Sequence, residues 1–295
     1  MMVAASLRML ARIVLVATAV TAVSCGNGEQ AAPIAVGAGD SAESVVLAEI
    51  YAGALARTGA RTAVTTGLGG RADTLAALDA GRITLLAEHS GALLTHLDAH
   101  AADRTPKDVA AALSKSLPEG LVISDVADGT DLRARVLLTT ETATHDGLKS
   151  VRDLGPSCAA RTAGVAPAPG LITAPPAANT VTDCAFAATI PYADLAALRK
   201  ALLDGQIQAG VLIGPPAADA TDGLTVLSDD DYAVRAENVL PLFRKGTLDQ
   251  IQIKKLNYVA GELTTADLAE LIRRVRDERR DPGEVARAWL DDHAL

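Results

Sequence analysis

From Pro33 onward the chain alternates short apolar runs with amphipathic stretches of helical period, and few architectures absorb that order. Pro33 to Val36 reads as a strand, and Asp40 with Glu43 three residues later resembles a capping box at a helix start. Val46, Leu47, Ile50, Tyr51, Ala54 and Leu55 then recur at three- and four-residue spacing, one apolar face that ends before Gly59. A strand over Thr62 to Thr65 leads into GLGGR, a helix carrying Leu75 and Leu78 stops at Gly81, and a strand over Ile83 to Ala87 follows. This β-α-β-α-β order implies a mainly parallel sheet with helices on both faces, whose ligands bind at loops beyond the carboxyl ends of strands. The loops GLGGR and EHSGA lie at such ends.

Thr105, Pro106 and Asp108 mark a further helix start and Leu121 to Ser124 a strand, before the polar break DVADGTD. The same grammar restarts from about residue 130, with strands near Val136 to Thr139, Ala185 to Thr189, Gln208 to Ile213 and Leu224 to Leu227, and a helix that Pro191 opens through Leu195, Leu198 and Leu202. Asp229, Asp230 and Asp231 form a second polar break. Val239 to Phe243 then reads as a strand, followed by helices beginning near Thr247, Thr264 and Pro282. The expectation is an α/β protein of two lobes joined by two crossing segments: residues 33–129 with 235–295 as lobe 1, and 130–234 as lobe 2.

The first 24 residues read as an address. Arg8 and Arg12 precede an apolar run, Ile13 to Val23, of about 11 residues, too short to span a bilayer that needs about 20. Ala22 and Ser24 then lead to Cys25, and residues 25–32 form a polar tether. The segment resembles a bacterial lipoprotein signal peptide, in which Cys25 becomes the lipidated first residue and anchors the protein on the extracytoplasmic face of the membrane. The usual leucine three residues before the cysteine is Ala22 here. Cleavage removes two arginines and no acids, so the net charge of −9 becomes −11. Export places Cys158 and Cys184 in an oxidising compartment as an even pair, where a disulfide would brace the Pro/Gly-rich stretch GVAPAPGLITAPPAAN between them. An acidic chain with 2% aromatic residues has neither the clustered cations nor the stacking rings that nucleic acid requires.

Five segments, VGAGDSAESVVLAEIYAGAL, GLGGRADTLAALDAGRITLLAEHSGALL, HDGLKSVRDLG, DGLTVLSDDDYAVRAENVLPLFRK and LNYVAGELTTADLAELI, are similar in order and spacing to the substrate-binding proteins of osmoprotectant ABC importers. The resemblance covers residues 34 to 293. It implies a type II periplasmic-binding-protein fold, a monomer that closes on a small-molecule solute such as glycine betaine, choline, carnitine or proline and delivers it to an ABC permease in the membrane, without cofactor and without catalysis. It also implies ligand contacts at Asp40, Ser44, Gly70, Arg71, Glu88, His89, Ala134, Ile213 and Glu237. Several of these depart from the family's pattern. Betaine-binding members use tyrosines, whose ring faces attract a trimethylammonium; those positions fall at or near His89, Ala134, Ile213 and Glu237. The usual lysine of the first loop is Gly39 and the usual glutamine is Ser44, the glutamate expected beside Cys158 is missing, and Arg161 matches the arginine that follows it. A non-betaine solute and a surface scaffold or regulatory lipoprotein therefore stand as alternatives.

Two readings stand for Arg71: a guanidinium beside backbone N–H groups at a helix start, suited to an anion, or a solvated surface arginine. Two also stand for His89: a ligand contact that titrates near neutrality, or a structural histidine at a strand end. Glu237 offers a negative charge to a cation in place of a ring. His96 and His100, with Asp103 nearby, have zinc spacing, but a solvated helix face is favoured; Asp229 to Asp231 read as a charged hinge turn in preference to a cation site. No metal is expected. The sequence contains no G-x-S-x-G elbow, H-E-x-x-H or Walker loop.

Overall fold

A computed structural model describes residues 32–172, 181–215 and 221–295. The signal segment and Cys25 lie outside the described residues. Lobe 1 is built on a five-stranded sheet of order β2-β1-β3-β10-β4, from β1 (Ile34–Gly37), β2 (Thr62–Thr65), β3 (Leu85–His89), β4 (Leu121–Ile123) and β10 (Val239–Arg244). β1 runs parallel to β2 and β3, whereas β10 is antiparallel to β3 and β4, so the sheet is mixed. A second five-stranded sheet, of order β7-β6-β8-β5-β9, is formed by β5 (Arg135–Thr139), β6 (Thr162–Pro167), β7 (Ala188–Pro191), β8 (Ala209–Ile213) and β9 (Leu224–Val226). The chain passes between the sheets at residues 124–134 and 227–238. Leu132 N–H donates to Glu237 O at 2.8 Å, so these two segments brace each other, and Ala127 N–H ties the first of them to the start of β10 at Val239 O, at 2.8 Å.

The helices of lobe 1 are α1 (Ala42–Ala56), α2 (Arg71–Asp79), α3 (Ser90–Leu97), α4 (Pro106–Ser116) and, after β10, α8 (Gln250–Glu262), α9 (Thr265–Arg276) and α10 (Pro282–Asp292); the second lobe carries α5 (Thr140–His145), α6 (Val151–Leu154) and α7 (Leu195–Leu203). The single apolar face expected of α1 understates its burial. Ala48 and Ala52 are buried along with Val46, Leu47, Ile50, Tyr51, Ala54 and Leu55, because α1 lies between the sheet on one side and α8, α9 and α10 on the other. Its cap is Ser41, whose hydroxyl accepts the Ser44 N–H at 3.0 Å, so the expected Asp40–Glu43 box does not form and Glu43 is free for other partners.

Other boundaries shift for stated reasons. β3 begins two residues later than expected, so Glu88 and His89 belong to the strand and α3 starts immediately after them. Pro191 closes β7, and α7 starts at Leu195 because Asp194 caps it by accepting the Ala197 N–H. The stretch beginning GVAP is no loop at its start: TAGVAP is β6, between β7 and β8. Its Gly164 is required by packing, since a Cβ there would stand 2.5 Å from Ile207 Cδ1 and Leu198 Cδ1.

Cys158, in a 3-10 turn over Gly155–Ala160, is disulfide-bonded to Cys184 ahead of β7. Closing a loop of this length contributes about 3.5 kcal/mol in the chain-entropy model. The double variant Cys158→Ser/Cys184→Ser is expected to lose stability on that scale, read as a lower urea midpoint with a slope equal to or steeper than the wild type's, because the unfolded chain is no longer cross-linked.

Candidate functional site

Three segments of lobe 1 converge at the carboxyl ends of β1, β2 and β3: Gly39 to Ser44 ahead of and into α1, Gly69 to Arg71 ahead of α2, and Leu86 to Glu88 within β3. With Thr74 and, from the second lobe, Ile172, they enclose a cavity of about 230 Å³. Glycine makes the second segment possible. Gly69 has φ +87°, and a Cβ on it would stand 2.6 Å from Asp73 Oδ2. The loops are tied to one another: Gly39 N–H donates to Ser44 Oγ at 2.8 Å, Gly69 N–H to Asp40 Oδ1 at 3.3 Å, and Gly70 N–H to Asp73 Oδ2 at 3.2 Å.

Of the residues expected at the site, Asp40, Ser44, Gly70, Arg71 and Glu88 line this cavity together. Arg71 is not a solvated surface arginine: its Nε reaches Glu88 Oε1 at 2.9 Å and its NH2 reaches Oε2 at 3.0 Å, a fork-to-fork pair at the cavity wall. His89 is 4% exposed and stands behind the cavity. Its Nε2 is 2.8 Å from Glu43 Oε1, its Nδ1 is 3.6 Å from Glu237 Oε1, and its backbone N–H donates to Glu88 Oε2 at 3.0 Å. Ala134 and Ile213 lie away from the cavity; Ala134 belongs to an apolar cluster of the second lobe, against which Ile213 packs. Glu237 is beside His89 and accepts the Ala92 N–H at 3.0 Å.

Sequence reasoning missed Glu43 as a site residue. It is 0% exposed and uses both carboxylate oxygens, Oε1 toward His89 and Oε2 as acceptor of the Ile172 N–H. A signal was present: Glu43 shares the helix face of Leu47 and Ile50, and a carboxylate on a buried face needs partners.

Outside the cavity, α3 ends at Leu97, so His96 and His100 do not share a helix face. Among the described residues no group of three His, Cys, Asp or Glu side chains is placed to hold a metal ion. Asp229 accepts the Ala233 and Val234 N–H groups and pairs with Arg133 at 3.1 Å, and Asp231 pairs with Arg152 at 2.7 Å. These acids hold a turn of the second crossing segment.

The sequence model of the substrate-binding domain of ABC-type glycine betaine transport systems matches residues 32–292. The chain belongs to this family. Its members are the solute-binding parts of ABC importers, a class that is not enzymatic. A crystal structure described as a glycine betaine/carnitine/choline ABC transporter is similar over 88% of this chain and 98% of its own length, with a TM-score of 0.65 at 16% identity. Apo YehZ of Escherichia coli is similar over 89% and 99%, with a TM-score of 0.61 at 18% identity. Lactococcal OpuAC, closed on glycine betaine, is similar over 89% and 96%, with a TM-score of 0.51 at 16% identity. Likeness at such identities shows the type II two-lobed fold. No curated protein matches the chain. Among the described residues no helix is long and apolar enough to cross a membrane.

Buried charges set the electrostatics behind the cavity. Burial alone would push the His89 pKa down, but the carboxylates of Glu43, Glu237 and Glu88 outweigh it and hold the imidazolium up to about 9. Burial raises the Glu237 carboxyl, against the opposing pull of His89, the Ala92 N–H and Arg71. In the unfolded chain His89 titrates near the ordinary value of about 6.5. Between that pH and about 9 the folded protein holds the extra proton, so the contribution is complete below pH 6.5 and is lost as pH rises through 9. The urea midpoint of the wild type is expected to fall across this window, by a loss on the order of 3 kcal/mol, and His89→Gln to flatten the decline.

Proposed function

We propose that this protein is a lipid-anchored extracytoplasmic receptor of an osmoprotectant-type ABC importer that holds its solute by hydrogen bonds and apolar contact, not by an aromatic cage. The observation that carries the reading is the lining of the 230 Å³ cavity: acceptors and donors from Asp40, Ser41, Ser44, Thr74, Arg71 and Glu88, apolar walls from Leu86, Ala87 and Ile172, and no aromatic ring among them. A trimethylammonium gains about 0.5 to 2 kcal/mol from each ring face, so a site without rings forfeits several such contributions. A solute with its own N–H or O–H groups uses what the cavity offers. In this reading residues 33–129 with 235–295 form lobe 1 and 130–234 lobe 2, and Asp40, Ser44, Gly70, Arg71 and Glu88 are the contacts of lobe 1.

Calorimetric titration against glycine betaine, choline, amino acids and polyols tests the reading. A hydrogen-bonding solute is expected to bind more tightly than glycine betaine, and Asp40→Ala to weaken it about tenfold or more, as expected for loss of a bond to a charged group worth about 1.5 to 3 kcal/mol. Micromolar glycine betaine binding, lost on replacing His89 or Glu237, would overturn it.

The anchor rests on the short apolar run and the small residues before Cys25. Cys25→Ala is expected to move the protein from the membrane to the soluble fraction; unchanged membrane association would remove lipidation from the proposal.

A further inference from the structure

Across the cavity the two lobes are joined by protein groups. Glu43 N–H, in the first turn of α1, donates to Gly170 O at 3.0 Å, and the Ile172 N–H returns a bond to Glu43 Oε2. A first-turn N–H of a helix has no partner within its own helix, so this bond is supplied from outside. Gly170 and Ile172 follow β6 and belong to the second lobe; Glu43 belongs to lobe 1. Apolar packing accompanies these bonds, because Ala166, Ala168 and Leu171 share one continuous buried cluster with α1, α8, α9 and α10. Gly170, at φ +83°, lies so close to α9 that a Cβ on it would stand 2.7 Å from Ile272 Cγ2.

The other oxygen of Glu43 is held by His89 Nε2, and His89 Nδ1 faces Glu237 on the second crossing segment. The charges facing His89 are Glu43 of α1, Glu88 of β3, Glu237 of the crossing segment and, behind Glu88, Arg71 of α2. On the crossing segment itself, Asn238 N–H donates to Ser90 Oγ at 3.0 Å and Ser90 N–H to Asn238 O at 2.9 Å. The His89 side chain therefore links the point where the lobes touch to the second crossing segment.

We infer that Glu43 is an interlobe latch: it closes the Gly170–Ile172 backbone of the second lobe onto α1, and His89 braces it against the crossing segment at Glu237. The latch is made of protein groups alone, and the inference is independent of which solute the cavity takes. Because Ile172 is also a wall of the cavity, the latch holds part of the cavity wall in place.

Hydrogen–deuterium exchange of the full-length chain, exhaustively dialysed and with no solute added, reads the latch directly at the Ile172 and Glu43 amides. Both are expected to be protected in the wild type. Glu43→Ala should accelerate exchange at Ile172 at least tenfold, while β8 amides in the second sheet keep their rates. Glu43→Gln, which keeps an oxygen for Ile172 but loses the ionic bond to His89, should give a smaller acceleration. Gly170→Ala acts from the other lobe, through the contact with Ile272, and should expose the Glu43 amide without altering Glu43 itself. If Glu43→Ala unfolds, seen as loss of β8 protection, the other two variants and the wild-type rates decide. Exchange at Ile172 at the free-peptide rate in the wild type, or wild-type protection surviving in the folded variants, overturns the latch while leaving the solute reading intact.

Discussion

Five ionisable side chains meet at the carboxyl end of β3, and the geometry around them follows from the cost of taking them out of water. Glu43 and Glu88 are 0% and 1% exposed and His89 is 4% exposed, with Arg71 and Glu237 at the margin. Each buried ion costs several kcal/mol unless partners surround it. Glu88 is satisfied by the Arg71 fork and the His89 N–H, Glu43 by the His89 imidazole and the Ile172 N–H, and Glu237 by the Ala92 N–H. Three carboxylates face two cations, which is why the imidazole keeps its proton well above the usual range. The starts of α1 and α2, the end of β3 and the second crossing segment are thereby held in one arrangement.

This cluster also gives physical content to the departures from the family's sequence pattern. A ring face offers a quaternary ammonium a diffuse attraction and asks for no hydrogen bond in return. Carboxylates and hydroxyls make the opposite demand, since each must find a donor or stay wet. Around His89 the space is taken by carboxylates that already have donors, so the polarity there holds the protein's own elements together. The groups that remain open toward the cavity, Asp40, Ser41 and Thr74 among them, are small and directional.

The alternation of apolar runs and helical periods was enough to read the α/β class and the restart after the first polar break, because strand and helix periods are local properties. It did not reveal β6. That strand is rich in small residues, Ala163, Gly164 and Ala166, and it is defined by what packs on it, Ile207 and Leu198, which lie far away in sequence. Arg71 and His89 were recognised as unusual, but whether they face a ligand or a protein carboxylate depends on residues 17 and 46 positions away. Glu43 was hidden by a competing local signal, the apparent capping box. Ser41 fills that role, and only the tertiary structure shows where the freed carboxylate goes.

The placement of α1 bears on how a chain that emerges amino terminus first assembles. Among the described elements this helix is one of the first in chain order, yet α8, α9 and α10, the last, cover one side of it, and Arg57 just beyond its end bonds to Asp291 and to the Leu295 carbonyl. The second sheet, in contrast, uses one continuous stretch between residues 135 and 226. Contacts of short sequence separation form early, and those that close long loops form late. Lobe 2 can therefore be complete while lobe 1 is half built, with the apolar side of α1 open to misassociation until the last three helices follow.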